Sequence, residues 1–231
     1  MKGWLLLKEG WHYSTKYGIE VCMAADSSNG YVANFSIYLG KESDEPRTHG
    51  LGYDVDMAMV EPFLNKHRHV FCDNFFTSPK LFDDLFKENT YACGTVRTNR
   101  KEMPASASTK EKLKTRGESR GQLRYTKWHD KKDVSLLSTS VSPGEPSRLV
   151  PRRVKGQEIT NEKPRVADVY IKHMGGVDRV TLFLPHGMAI QKWYRYIFWF
   201  LFNLSVCNAR VLESFYYGNK KRKRCLWSTS R

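Results

Sequence analysis

The stretch HVFCDNFFTSP, residues 69–79, predicts a buried strand that leads directly into a helix. His69–Cys72 is a short apolar run, and Asp73 follows it at once. Ser78 is a good N-cap, because its side chain can accept a hydrogen bond from a free N–H group of the first helical turn. Pro79 suits the first helical position, where its missing N–H would have no partner. A strand that ends in a carboxylate and precedes a helix is typical of α/β sheets, which usually build their sites where strands end.

The chain on either side of this stretch continues the alternation of strands and helices. Two β-prone runs surround the turn sequence SSNG, residues 27–30, and predict a hairpin. The other predicted strands are residues 91–96, 122–128 and 133–139, and the other predicted helices are residues 53–64, 165–174 and about 191–217. We therefore predict an α/β fold with a mixed sheet flanked by helices.

Two polar, basic segments, residues 97–120 and 141–164, interrupt this pattern. Because they contain few apolar residues, they predict basic loop insertions within one domain that covers residues 1–217. Residues 218–231 form a basic tail that we expect to be disordered.

The composition favours a polyanionic partner. The 231-residue chain carries 38 Lys and Arg against 24 Asp and Glu, a formal net charge of +14. Such an excess points to nucleic acid before an anionic membrane surface, although basic chains also include ordinary soluble enzymes. The apolar stretch Trp193–Leu212 contains Arg195 and Arg210, so a buried amphipathic helix is a better interpretation than a membrane span. We expect DNA as the partner, and neither a membrane nor a small-molecule substrate.

The five cysteines predict a reducing compartment. Their number is odd, and none forms a C-x-x-C pair. Cys22, Cys72 and Cys93 lie in apolar, strand-like runs, where a free thiol packs as a small hydrophobic group. The pattern argues against a disulfide framework and against a zinc site built from cysteines alone.

Three aspartates, Asp26, Asp73 and Asp178, follow strand ends or sharp turns. Carboxylates spread so widely along a chain suggest a fold that gathers them to hold divalent cations such as Mg²⁺. Two such ions clamp the attacking and leaving oxygens in phosphoryl transfer. Each residue also has a simpler interpretation: Asp26 as a turn residue, Asp73 as a carboxylate at a helix entry, and Asp178 as a helix N-cap.

Several basic residues are candidates for contacts with DNA. Phosphate contacts are predicted for Arg97, Arg100, Lys101, Arg152, Arg153 and Lys155, with an ordinary solvated loop as the alternative. Lys192 and Trp193 combine a charge with an aromatic ring, as a base-stacking site requires, although such rings more often belong to a core. The run Lys220, Lys221, Arg222, Lys223 and Arg224 fits a nuclear localisation signal or further phosphate contacts; a disordered charged end is the alternative.

Four ordered motifs resemble the piggyBac family of transposases. Residues 71–78, FCDNFFTS, resemble the family's D-N-[FWY]-F-T-S motif, and residues 93–101, CGTVRTNRK, resemble its G-T-[VI]-R-x-N-[RK] run. Residues 17–27 resemble the strand with the first catalytic aspartate, and residues 172–178, KHMGGVD, resemble K-x-x-G-G-V-D. These motifs cover roughly residues 16–212, and four motifs in the family's order make a more specific match than any one of them alone.

The resemblance implies an RNase H-like fold and cut-and-paste transposition of DNA at TTAA targets in the nucleus. By motif position, it implies that Asp26, Asp73 and Asp178 are the catalytic residues and the ligands of two Mg²⁺ ions. It also implies a homodimer in full-length relatives.

The chain departs from the family pattern after the last motif. Family members usually continue G-G-V-D-x-x-D-Q, whereas Asp178 is followed here by RVTL, residues 179–182. We also expect the family's N-terminal dimerisation and DNA-binding region, and its cysteine-rich C-terminal module, to be missing. These departures predict impaired catalysis, with a non-catalytic, domesticated nuclear DNA-binding protein as the alternative and an unfolded relic as a third possibility.

Overall fold

A computed structural model describes residues 4–10, 20–38, 48–103, 119–122, 125–129, 132–141, 145–154, 157–176 and 193–217. The first half contains β1 (Trp4–Gly10), β2 (Glu20–Asp26), β3 (Val32–Tyr38), α1 (Leu51–Val60), a 3₁₀ turn (Glu61–Phe63), β4 (His69–Cys72), α2 (Pro79–Lys87) and β5 (Tyr91–Thr95). The second half contains β6 (Ser119–Gln122), β7 (Tyr125–His129), β8 (Asp133–Ser138), β9 (Arg148–Val154), β10 (Gln157–Lys163), α3 (Arg165–His173) and α4 (Trp193–Tyr217). The predicted mixed α/β architecture is confirmed.

Eight strands form one mixed sheet in the order β3-β2-β1-β4-β5-β8-β7-β6. The pairs β1–β4 and β4–β5 are parallel, and all other neighbours are antiparallel. The predicted hairpin is β2–β3, and Gly30 in its turn has a φ of 82°, a conformation that glycine adopts without strain. The predicted helix at Pro79 is α2, and the Ser78 hydroxyl caps it by accepting from the Leu81 N–H at 3.2 Å.

Helices cover both faces of the sheet. On one face, α1 and α2 contribute Met59, Val60, Leu81, Phe82 and Leu85 to a core with strand residues such as Ala24 and Val70. On the other face, α3 and α4 contribute Val166, Ala167, Tyr170, Phe200 and Leu204 to a core with strand residues such as Met23 and Phe71. Neighbouring residues of β2 and of β4 thus enter different cores, as the alternation of side chains along a strand requires. None of the described helices is long and apolar enough to cross a membrane.

Two expectations are corrected. The segment 141–164 is not an irregular loop throughout, because β9 and β10 pair as an antiparallel ribbon in which Arg153 lies opposite Glu158 and Arg152 opposite Ile159. The segment 97–120 likewise ends in β6, which pairs with β7. Within 97–120, residues 104–118 lie outside the described residues.

Candidate metal site and nucleic-acid interface

Asp73 lies where two parallel strands end. β4 and β5 run in register, with Cys72 opposite Gly94, and Asp73 is the next residue. One Asp73 carboxylate oxygen accepts the N–H of Phe75 at 2.8 Å. The Asp73 carbonyl accepts the Thr77 hydroxyl at 2.7 Å and the Thr77 N–H at 3.1 Å. These bonds fold the sequence DNFFT into a tight connection between β4 and α2.

The basic residues after β5 border the same edge of the sheet. Arg97 and Lys101 are exposed there, on a turn closed by a bond from the Arg100 N–H to the Arg97 carbonyl at 3.1 Å. Arg100 is half-buried, and its guanidinium donates to the carbonyls of Asn74 and Phe75. Burial, and then repulsion from Arg97, lower the pKa of Arg100. Arg100 therefore joins the β5 turn to the connection that contains Asp73, while Arg97 and Lys101 face solvent.

Asp26 closes the β2–β3 turn. One of its carboxylate oxygens accepts the Ser28 hydroxyl at 2.6 Å and the Ser28 N–H at 2.8 Å, and the other accepts the Asn29 amide at 3.4 Å. The Asp26 carbonyl accepts the Gly30 N–H, and the Asp26 N–H donates to the Tyr31 carbonyl, across the same turn. A carboxylate used in this way has the geometry of an Asx turn, which is the simpler interpretation of this residue.

The strands that end at Asp26 and Asp73 are not neighbours in the sheet. β1 separates their strands: Asp26 lies opposite Leu5, near the start of β1, whereas Cys72 lies opposite Leu7. Asp73 is thus three residues further along β1 than Asp26. Three residues and two strand spacings separate the two Cα atoms by about 14 Å.

Asp26 follows Ala25, which packs in the core with α3. Because side chains alternate along a strand, Asp26 has the opposite orientation to Ala25 at the end of β2. The hydroxyl of the next residue, Ser27, lies 3.4 Å from His173 Nδ1 of α3.

Asp178 lies outside the described residues. Gly176, the last described residue before it, packs closely on the β2–β3 turn. A Cβ atom on Gly176 would lie 2.9 Å from the Cα of Ser27, so only glycine allows this approach. Gly176 therefore allows the end of α3 to pack against Asp26 and Ser27.

The described residues do not fit a two-metal site. No group of three His, Cys, Asp or Glu side chains among them is arranged to hold a metal ion. Carboxylates that jointly bind two metal ions must reach ions only about 4 Å apart. Asp26 and Asp73 are instead separated by a strand, and each carboxylate is hydrogen-bonded within its own turn.

A buried carboxylate beside Asp73 was not predicted as a site residue. Asp56 of α1 is fully buried, and neither of its carboxylate oxygens has a hydrogen-bond partner among the described residues. Burial, and then the charge of Asp73, raise the pKa of Asp56 well above its ordinary value, while Arg100 opposes the shift. The sequence signal is its helical spacing from Met59 and Val60, which places it on the buried side of α1.

The other predicted DNA contacts are described in part. Arg152 and Arg153 lie in β9, and Trp193 begins α4, but their side chains are outside the described set. Some of the predicted contacts lie wholly outside the described residues: Lys155, Lys192 and the run Lys220, Lys221, Arg222, Lys223 and Arg224.

Known proteins resemble this chain in sequence and in fold. It is 29% identical over 204 residues to human PiggyBac transposable element-derived protein 3, which covers 81% of this chain and 34% of that protein. It is 28% identical over 206 residues to human PiggyBac transposable element-derived protein 2, with the same coverage. The chain thus spans about a third of the length of these curated relatives.

The fold matches that of a piggyBac transposase in a cryo-EM structure of its synaptic complex with hairpin DNA. The TM-score is 0.74 at 22% identity, and the match covers 92% of this chain and 47% of that chain. At this identity the likeness concerns the fold. The sequence also matches the family described as Transposase IS4 over residues 12–210, which is most of the chain. The chain therefore belongs to the Transposase IS4 family, and within it to the piggyBac type.

Proposed function

We propose that this chain is a DNA-binding member of the piggyBac transposase family that holds duplex phosphates without cleaving them. The observation that carries the proposal is the pair Arg97 and Lys101, both exposed at the edge where β4 and β5 end. A net charge of +14 adds a long-range attraction to polyanions. The related transposase structure contains DNA, which supports the same partner for this chain.

The RNase H-like assignment is part of this proposal. Antiparallel β1–β2–β3 and parallel β1–β4–β5 within one helix-flanked sheet support it. In an RNase H-like arrangement, the edge of the sheet at which β4 and β5 end, beside Asp73, faces the DNA. The proposed function does not include DNA cleavage, because Asp26 and Asp73 do not converge. Their separation favours the non-catalytic alternative over a three-aspartate Mg²⁺ site.

The ribbon of β9 and β10 supplies a second basic element in this proposal. Arg148, Arg152 and Arg153 lie along β9, and the Trp128 indole donates to the Glu162 carbonyl of β10 at 3.3 Å, which ties the ribbon to the sheet. A two-stranded ribbon is narrow enough to enter the major groove. Contacts to phosphates along its length would fix the register of the protein on the duplex.

The experiment is a salt titration of binding to a fluorescent DNA duplex, read by anisotropy. Each phosphate contact contributes about −0.9 to the slope of log K against log salt concentration. We expect the double variant Arg97→Ala/Lys101→Ala to flatten the slope by about 2. The matched control removes two exposed lysines elsewhere, Lys66→Ala/Lys87→Ala, and should leave the slope unchanged. Equal slopes for wild type and the Arg97/Lys101 variant would overturn this assignment.

Nuclear localisation through residues 220–224 also belongs to the proposal. Five consecutive basic residues match the pattern of such signals. Residues 218–231 fused to a fluorescent protein should direct it to the nucleus, and replacement of the five basic residues by alanine should abolish the effect. A cytoplasmic distribution of the unaltered fusion would refute this part of the account.

A further inference from the structure

Three aromatic side chains of α4 are exposed on the side of the helix that faces away from the sheet. Phe198, Trp199 and Phe202 are 60%, 39% and 50% exposed. Phe200 and Leu204 lie on the opposite side, where they are buried in the core with α3 and hold the helix on the sheet. At 3.6 residues per turn, Phe198 and Trp199 flank the line through Phe202 by about 40° and about 60°. We call Phe198, Trp199 and Phe202 the aromatic platform.

The rings of the aromatic platform hold one another in place. Trp199 packs edge to face with both phenylalanines, with ring centroids 5.5 Å from Phe198 and 5.7 Å from Phe202. The planes of Phe198 and Phe202 differ by 18°, with centroids 6.4 Å apart. Because these contacts already restrict the side chains, a ligand that covers them costs less conformational entropy. The platform is therefore a pre-organised apolar patch open to solvent, which is the character of an interaction site.

The charges beside the aromatic platform favour a polyanionic ligand. Arg195 is exposed and lies one helical turn before Phe198 and Trp199. Glu213 is the only acidic residue of α4, and at 1.5 Å per residue it lies about 16 Å further along the helix than Phe202. Exposed aromatic rings beside a positive charge are the combination that binds unpaired bases, because every base has a face that can stack.

We propose that the aromatic platform binds single-stranded DNA by stacking on its unpaired bases, with Arg195 on a neighbouring phosphate. The inference rests on the DNA binding proposed above and adds to it a second class of DNA contact. Contacts at Arg97 and Lys101 hold phosphates, whereas contacts at the platform hold bases. Because stacking reads only the faces of the bases, the platform accepts any sequence.

The position of the aromatic platform suits a strand that leaves the bound duplex. The ring of Phe200, within the platform segment, packs on Phe35 of β3 with centroids 6.3 Å apart. The register from β3 through β2 and β1 to β4 puts Phe35 on the same level as Asp73. Three strand spacings, about 14 Å, separate these two levels across the sheet. The platform thus lies toward the end of the sheet where Arg97 and Lys101 are exposed.

Fluorescence anisotropy of the full 231-residue chain with three labelled probes tests the inference. The probes are an oligo(dT) strand of about 20 nucleotides, an abasic strand with the same number of phosphates, and a duplex of the same length. At about 0.2 M salt, which weakens phosphate contacts, we expect oligo(dT) to bind at least about tenfold more tightly than the abasic strand.

The three probes separate failure of this inference from failure of the proposed function. Equal affinities for the two single strands, in a chain that binds the duplex, would overturn the stacking assignment alone and would leave the rings to a protein contact. A chain that binds none of the three probes would refute the proposed function together with the inference.

Substitutions on α4 test which rings stack. Trp199→Ala/Phe202→Ala should weaken oligo(dT) binding by about tenfold to a hundredfold and leave duplex binding unchanged. Leu212→Ala is the matched control, because Leu212 is also exposed on α4 but lies outside the platform. Arg195→Ala should flatten the salt slope for oligo(dT) by about 0.7, the contribution of one phosphate on a single strand.

A conservative variant guards against a folding defect. Trp199→Phe keeps an aromatic face and should retain most of the preference for oligo(dT) over the abasic strand, whereas Trp199→Ala should lose it. A Trp199→Ala/Phe202→Ala chain that still prefers oligo(dT) as strongly as wild type would overturn the inference.

Discussion

The side-chain amide of Asn208 hydrogen-bonds both backbone groups of Val32. Its oxygen accepts the Val32 N–H at 2.9 Å, and its nitrogen donates to the Val32 carbonyl at 2.9 Å. Val32 begins β3, which is an edge strand of the sheet. The amide therefore takes the position that a further strand would occupy, and it attaches α4 to the sheet.

Removal of this amide should destabilise the fold. Asn208→Ala leaves two backbone groups of a buried residue without these partners, and we expect the free energy of unfolding to fall by about 1–3 kcal/mol. Urea denaturation measures the change. Asn203→Ala is the matched control on the same helix, because among the described residues its amide donates to the Trp199 carbonyl within α4 and not to the sheet. Equal losses for both variants would show that the Val32 contact contributes nothing specific.

Gly94 lies where β5 touches the connection after β4. A Cβ atom there would lie 2.5 Å from the carbonyl oxygen of Cys72 and would also overlap the Thr77 hydroxyl. Because the backbone cannot yield easily, we expect Gly94→Ala to lower the free energy of unfolding by about 1–3 kcal/mol. Gly175→Ala, at a position with open space, serves as the control in the same denaturation series. A neutral Gly94→Ala would contradict the packing of the Asp73 connection described above.

Asp56 should make stability depend on pH in a defined direction. Burial raises its pKa in the folded chain, so the folded state keeps a proton that the unfolded chain has lost above about pH 4. Stability then falls as the pH rises from that point to the folded pKa, by at most about 1.4 kcal/mol per pH unit. We expect Asp56→Asn to remove this dependence, measured as the free energy of unfolding at about pH 5 and about pH 8.

The control for Asp56 is the exposed Asp54 two residues earlier on α1. Asp54→Asn should retain the wild-type difference between the two pH values. If the free energy of unfolding changed equally with pH in wild type and in Asp56→Asn, Asp56 would have to be paired or solvated in solution. Its assignment as a buried carboxylate beside Asp73 would then be wrong.

Strong local patterns predicted most elements near the Asp73 edge. Ser78 and Pro79 mark the start of α2, and the turn sequence after Asp26 marks the β2–β3 hairpin, because capping and turn preferences act within a few residues. The ribbon was missed because its strands are polar, although the two-residue connection Lys155–Gly156 was a usable hairpin signal.

The placement of Asp26 required the sheet order, which no local pattern reveals. The central strand β1 was overlooked because Leu5, Leu6 and Leu7 form a short apolar run without alternation, which does not distinguish a strand from a helix. Once β1 lies between β2 and β4, Asp26 and Asp73 are held apart. The spacing of Asp56 from Met59 and Val60 indicates the buried side of α1, but its position beside Asp73 depends on how α1 packs on the sheet, which no local pattern reveals.

Incubation of supercoiled plasmid with the purified chain in Mg²⁺ or Mn²⁺ tests the central claim most directly. The account predicts that the chain retards the plasmid and that, after the protein is removed, the DNA is as supercoiled as in a parallel Asp73→Asn sample. Metal-dependent conversion to nicked circles by the wild-type chain, lost in Asp73→Asn, would contradict the claim that this member of the family binds DNA without cutting it.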